Sequence, residues 1–216
     1  GRAMSRMQRL GVRTPEEAAR RRFALWAGLS LIILLPLWWI WGADLVIAAL
    51  RPVAGVVFRL FGLSGQIEPM AGGGWAVGTH LTEAGRPITL PLSQEALRRM
   101  MLGFPLLAAF LIAPPRVERI WRATAIAVPI LCLVFIVFLV LAVWGDLAPM
   151  LSPDLASEAL TVRLRADQPP LPAFLAQVAI IGRYIGYSIA PLLTALILWA
   201  TLNPKALKTL VAEIGK

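Results

Sequence analysis

An all-α integral membrane protein is the fold class this sequence predicts: four transmembrane helices, an interfacial amphipathic helix and a small extracytoplasmic β element. Three observations predict it. Four apolar stretches stand apart at roughly Phe23–Gly42, Met100–Ala113, Thr124–Trp144 and Tyr184–Leu202. A bilayer core of about 30 Å takes about 20 apolar residues as a helix, so the first, third and fourth are long enough, and the second needs its flanking arginines to snorkel. The chain is also 58% hydrophobic and only 15% charged, against about 25% charged in soluble domains. Finally, the basic residues fall on alternate sides of the apolar stretches.

That alternation sets an orientation. Lys and Arg accumulate in cytoplasmic segments close to the ends of spans. Residues 1–22, the short loop 114–122 and the tail 203–216 hold 13 of the 21 Lys and Arg residues against four acids, Glu16, Glu17, Glu118 and Glu213. Both termini are therefore expected in the cytoplasm. The net charge of +9 is read as this topology signal rather than as a nucleic-acid surface.

The elements follow in order. Gly1-Arg2-Ala3 before Met4 reads as an added leader. Thr14-Pro15-Glu16-Glu17 reads as a helix start, with Thr14 as cap, Pro15 in the first position and Glu17 completing a capping box. The helix runs past Arg20, Arg21 and Arg22 into the first span, 23–42, read as a retained signal anchor because its apolar run exceeds that of a cleaved signal peptide. Trp38, Trp39 and Trp41 mark its exit at the headgroups. In 43–63, Asp44, Arg51 and Arg59 fall within about 80° on a helical wheel, a narrow polar stripe that suits a helix lying in the outer interface and broken at Pro52. The alternative is a re-entrant segment. Gly72-Gly73-Gly74 and Ala84-Gly85-Arg86-Pro87 are turn signals around short strands at Trp75–Thr82 and Ile88–Leu90, so the whole extracytoplasmic segment is 43–93.

Ser93 caps the next helix, and the second span is 94–113. Pro114-Pro115 stops it, the cytoplasmic loop is 114–122, and the third span is 123–144, with Pro129 as a kink. The outer loop 145–172 carries Asp146, Asp154, Glu158 and Asp167, and its alternating Thr161–Arg165 is a candidate extra strand. A last helix covers 173–202, with an outer extension before the fourth span and a kink at Pro191.

Few residues invite chemistry. A single Cys, Cys132, and a single His, His80, exclude a disulfide within the chain and any Cys/His metal spacing. Cys132 falls near mid-span, where burial works against the thiolate a nucleophile needs. No cofactor and no metal are expected. The candidate binding residues are cationic or small. Arg98, Arg99 and Arg183 border spans at the outer face, either snorkelling or forming a cationic cluster for an anionic lipid, a phosphate or a partner's carboxylate. Gly182, Gly186, Ala190 and Thr194 recur every four residues and allow close helix approach, within the chain or with a partner.

Leu34-Leu35-Pro36-Leu37-Trp38-Trp39 in the first span, the strand-bearing loop beyond it, and Gly186-Tyr187-Ser188-Ile189-Ala190-Pro191-Leu192-Leu193 followed by Trp199 together resemble the exosortase H-associated membrane proteins of Gram-negative bacteria. The resemblance implies an accessory of a membrane-embedded, transpeptidase-like sorting enzyme. The chain lacks the Cys, Arg and His constellation of those enzymes, in keeping with a non-catalytic role. The expected function is that of a non-enzymatic inner-membrane accessory protein whose partners are membrane lipids and other integral membrane proteins, not nucleic acid. The alternatives are a structural subunit of a larger secretion, conjugation or energy-converting complex, or a lipid-handling enzyme.

Overall fold

The computed structural model describes residues 15–152, 164–166 and 171–211. Thr14 and its cap, Thr161–Arg163, Asp154, Glu158 and Asp167 lie outside them. The element order is α1 (Pro15–Leu37), a π turn (Trp38–Gly42), α2 (Ala43–Leu60), β1 (Ile67–Pro69), β2 (Trp75–Glu83), β3 (Arg86–Leu92), α3 (Gln94–Met100), α4 (Gly103–Ile112), α5 (Ile120–Leu151), β4 (Leu164–Ala166), α6 (Ala173–Ser188), α7 (Ala190–Leu202) and α8 (Pro204–Val211). Among the described residues two helices are long and apolar enough to cross a bilayer, Pro15–Leu60 and Ile120–Leu151, and a third is added if the bent pair α6–α7 is one span.

The first helix corrects one expectation. It continues through Pro52 to Leu60 as one 46-residue helix, where a break at Pro52 was expected. A proline in a helix forfeits one backbone bond. Here Ile47 before it and Ala54 and Phe58 after it are all buried, and their packing carries the helix through the gap. The Trp38–Gly42 turn is π-helical, with the Ala43 N–H reaching back to the Trp38 carbonyl. One residue inserted into a helix turns everything beyond it by about 100°. Asp44, Arg51 and Arg59 all follow the turn within the regular α2, so they keep their places relative to one another and rotate together against α1, with Asp44 brought to α3.

Two other expected helices are divided. The segment 94–113 is α3 and α4, parted at Met101 and Leu102. Pro105 explains the break, because its ring opposes the carbonyl four residues earlier, that of Met101. Ser93 does cap α3, its Oγ accepting the Ala96 N–H at 3.1 Å. The segment 173–202 is α6 and α7, which meet at 67°. Pro191 removes the bond to Tyr187 in the same way. α4 alone has ten residues, about 15 Å of helix.

The helices nest through small residues. α6 lies along α5, and a Cβ placed on Gly182 would come within 2.7 Å of Leu141, one on Gly186 within 2.9 Å of Phe138, and one on Gly145 within 2.8 Å of the Ala179 carbonyl. At the α4–α7 contact, a Cβ on Gly103 would lie 3.0 Å from the Pro191 carbonyl. The small-residue stripe thus serves a contact inside the chain, and Ala190 is also buried.

The bundle has two distinct ends. At one, the rings of Phe23, Phe110 and Trp199 cluster, joining the start of α1 to the ends of α4 and α7. α8 also packs against α1 and α7 there, and Lys205 pairs with Glu118 of the 113–119 loop. At the other end sits a sheet with β2 at its centre, antiparallel to β1, β3 and β4. The β2–β3 turn has positive φ at Ala84 and Gly85, the two-residue type I′ geometry that tight hairpins favour. Trp75, Val77 and Leu81 alternate along β2 and bury one face against Leu92 and, from α5, Leu147 and Leu151.

The Gly contacts predict an asymmetry. Gly182→Leu and Gly186→Leu are expected to destabilise the detergent-solubilised protein by about 1–3 kcal/mol through overpacking. Gly28→Leu, where nothing lies within 4 Å, is expected to leave the thermal midpoint unchanged; circular dichroism melts compare them. A second prediction concerns the Glu118–Lys205 pair. The hydrogen bond and charge of Lys205 hold the Glu118 carboxyl below its ordinary value. The pair is therefore complete above the ordinary carboxylate range and lost as pH falls through the lowered value. A nitroxide on α8 should gain mobility over that acid window in the wild type, and should be mobile at neutral pH in Glu118→Gln.

Candidate functional site

An acid on a largely apolar helix is a marked residue, and the part-exposed Asp44 at the start of α2 has two partners. Arg98 of α3 grips it with both forks, Nε to Oδ1 at 2.8 Å and Nη2 to Oδ2 at 2.7 Å. Gln94, one turn earlier on α3, donates its Nε2 to the same carboxylate. The Gln94 Oε1 then accepts the Gly74 N–H at 2.6 Å, at a position that only glycine fits: φ is +87° and a Cβ would run into the Leu92 carbonyl. Trp39 offers its ring face to Arg98 at 5.7 Å, and the neighbouring Trp38 stacks on Phe104 of α4 at 4.9 Å. The π turn, α2, α3, α4 and the sheet are thus locked at one joint. The tryptophans expected to mark a headgroup boundary are structural parts of that joint at Trp38 and Trp39, while Trp41 is exposed.

The three candidate arginines separate. Arg98 turns toward α2. Arg99, next in sequence, points to the other side of α3, where it bonds Glu95 at 2.6 Å and lines a cleft of about 360 Å³ with Ser93 and, from α6, Tyr187. Arg183 of α6 pairs with Asp146 of α5 and rests over the Tyr184 ring at 5.1 Å. Each cation therefore has its own carboxylate, and the three do not form a bare positive patch. Sequence reading found the arginines but not the acids that hold them. The signal was present, since Asp146 is the one acid within the long apolar run of α5 and an acid in such a run is a marked residue.

Two other regions frame the site. An apolar groove of about 650 Å³ runs between α2, α5 and α6, lined by Val53, Val57, Ile136, Val140, Leu175 and Val178 among others. The Trp144 indole N–H closes one end by donating to the Phe61 carbonyl at 3.2 Å. His80 is exposed on β2 and Cys132 lies in α5, so the two belong to different parts of the fold. Among the described residues no cluster of His, Cys, Asp and Glu could hold a metal ion. What the arrangement offers is adhesion: a salt-bridged cleft on one side of α3, and an apolar groove along α5.

The joint is expected to be cooperative. Asp44→Asn and Arg98→Gln should each lower the thermal midpoint, and the double variant should lose less than the sum, with a coupling energy of about 1 kcal/mol. Purely additive losses would show that the pair contributes nothing as a pair.

The comparisons add one finding. The chain matches the family model described as exosortase H-associated membrane protein over residues 17–206. No curated protein and no solved structure matches it.

Proposed function

Since the chain belongs to the exosortase H-associated membrane protein family, we propose that it is a non-enzymatic accessory protein of the bacterial inner membrane that binds an exosortase-type sorting enzyme. The family match, covering nearly the whole described chain, carries this reading. The chemistry of the surface supports it. The lipid-facing helices expose apolar side chains such as Ile32, Ile33, Leu133, Ile181 and Leu196, and the arginines are matched to acids rather than assembled around a reacting centre.

The proposed topology is four passes with both termini inside, in segments 23–42, 94–113, 123–144 and 173–202, and with the sheet outside. The placement of the start of α1, the 113–119 loop and α8 at one end supports it, because that end carries Arg20, Arg21, Arg22, Arg116, Arg119 and Arg122. An even number of passes returns the chain to the side where it began. α5 supports the bilayer depth: Trp121, 87% exposed, and Trp144 lie 23 residues apart, about 34 Å along a helix, the spacing of two aromatic belts.

The proposed partner surface is the groove between α2, α5 and α6, with the Arg99–Glu95–Tyr187 cleft as a second, separate contact. Arg98 and Arg183 act from behind it, holding α3 and α6 in place, Gly182 and Gly186 set the closeness of α6 to α5, and Ala190 is buried at the start of α7. Membrane lipids cover the rest.

Two measurements check this. In a Cys132→Ala background, a cysteine replacing Gly73 should react with an impermeant maleimide on intact spheroplasts, and one replacing Lys208 only after permeabilisation; the reverse pattern overturns the topology. The tagged protein, solubilised in mild detergent, should co-purify exosortase H at a fixed ratio. Filling the groove with Val178→Trp should reduce recovery several-fold, whereas Leu196→Trp on lipid-facing α7 should not. Recovery of the folded protein alone, with exosortase H left in the flow-through, overturns the binding role.

A further inference from the structure

A second polar site lies at the opposite end of the bundle from the sheet. It is a cleft of about 390 Å³ between the 113–119 loop, the first turn of α5 and the α7–α8 corner, lined by Arg116, Glu118, Arg119, Arg122, Ile126 and Lys205 among others. Its walls are fixed. Asn203 is buried; its Nδ2 donates to the Pro115 carbonyl at 2.7 Å and its Oδ1 accepts the Ala206 N–H at 3.3 Å, tying the loop to the start of α8. Glu118 is matched to Lys205 across the mouth. Arg116, Arg119 and Arg122, all exposed, remain as three positive charges around one concavity. No side chain caps the first turn of α5, so the partial positive charge of that helix end adds to theirs.

Like charges held around one cleft repel each other, and an anion placed among them relieves that repulsion. The wall below the cations shows what kind of anion fits. Ile126 and Ile130 of α5 are 43% and 37% exposed, and Trp121 beside the arginines is 87% exposed. An apolar strip therefore leads from the cationic rim down the helix. A free phosphate has no use for such a strip, whereas an amphiphile needs both parts. We propose that this cleft binds the phosphodiester headgroup of an anionic phospholipid, with an acyl chain lying along Ile126 and Ile130. Basic pockets between helices are known to take such headgroups.

Native mass spectrometry of the full chain, released from detergent and titrated with phosphatidylglycerol, phosphatidylcholine or inorganic phosphate, tests the site. Phosphatidylglycerol should bind, phosphatidylcholine of the same chain length should bind far more weakly, and phosphate at equal concentration should not displace the lipid. R119Q/R122Q should weaken phosphatidylglycerol binding about fivefold per charge removed, while R86Q in the sheet turn leaves it unchanged. If the double variant loses its helical circular dichroism, R119Q and R122Q measured singly should each give the fivefold loss. Equal binding of phosphatidylcholine, an equal loss in R86Q, or displacement by phosphate would each overturn the assignment.

Discussion

The carboxylate of Asp44 is the constraint around which the fold is arranged. Its charge sits on a largely apolar helix, and Arg98 and Gln94 from α3 coordinate it. Because Gln94 also holds Gly74, the requirement passes from the helices to the sheet. The apolar residues of β2 then have a fixed surface to cover, formed by the far end of α5. Three otherwise separate pieces become one body through a few charge-assisted hydrogen bonds, which are the stronger kind.

Away from that joint the packing is steric. Glycines in α5 and α6 allow backbones to approach where a methyl group would collide, and packing of this kind is what drives helices together once lipid has removed the hydrophobic incentive. The two mechanisms divide the molecule. Polar ties fix the elements at the sheet-bearing end, and close contacts fix the long helices against one another. The proposed partner surface lies beside the first and along the second, so the groove has rigid walls.

Much of this was legible in the sequence, for identifiable reasons. The membrane class, the strands around Gly74 and Gly85, the Ser93 cap and the pairing of the segment at Leu164 and Arg165 with β2 follow from composition, turn chemistry and alternation. Those signals are local. The family resemblance carried by the Leu34–Trp39 and Gly186–Leu193 segments agrees with the family match. The breaks after Met100 and Ser188 were only partly legible. Pro191 was read as a kink, but Pro105 was passed over inside an apolar run. The fate of Asp44 was not legible from its own neighbourhood, since a wheel drawn over α2 keeps its regular winding but says nothing of how the π turn offsets α2 from α1 or of what α3 places opposite it. The acid partners of Arg98 and Arg183 lie 54 and 37 residues away, beyond the reach of any local pattern.

The π turn at Trp38–Gly42 has a further consequence. The direction in which Asp44 points relative to α1 is set by how many residues the turn holds. Deleting any one of the five would restore regular winding and turn the carboxylate away from α3 by about 100°, leaving Arg98 and Gln94 without it. A substitution in this stretch alters one contact; a change in its length turns the whole of α2. Chain length here behaves as a coded quantity, with the same standing as a catalytic side chain in other proteins.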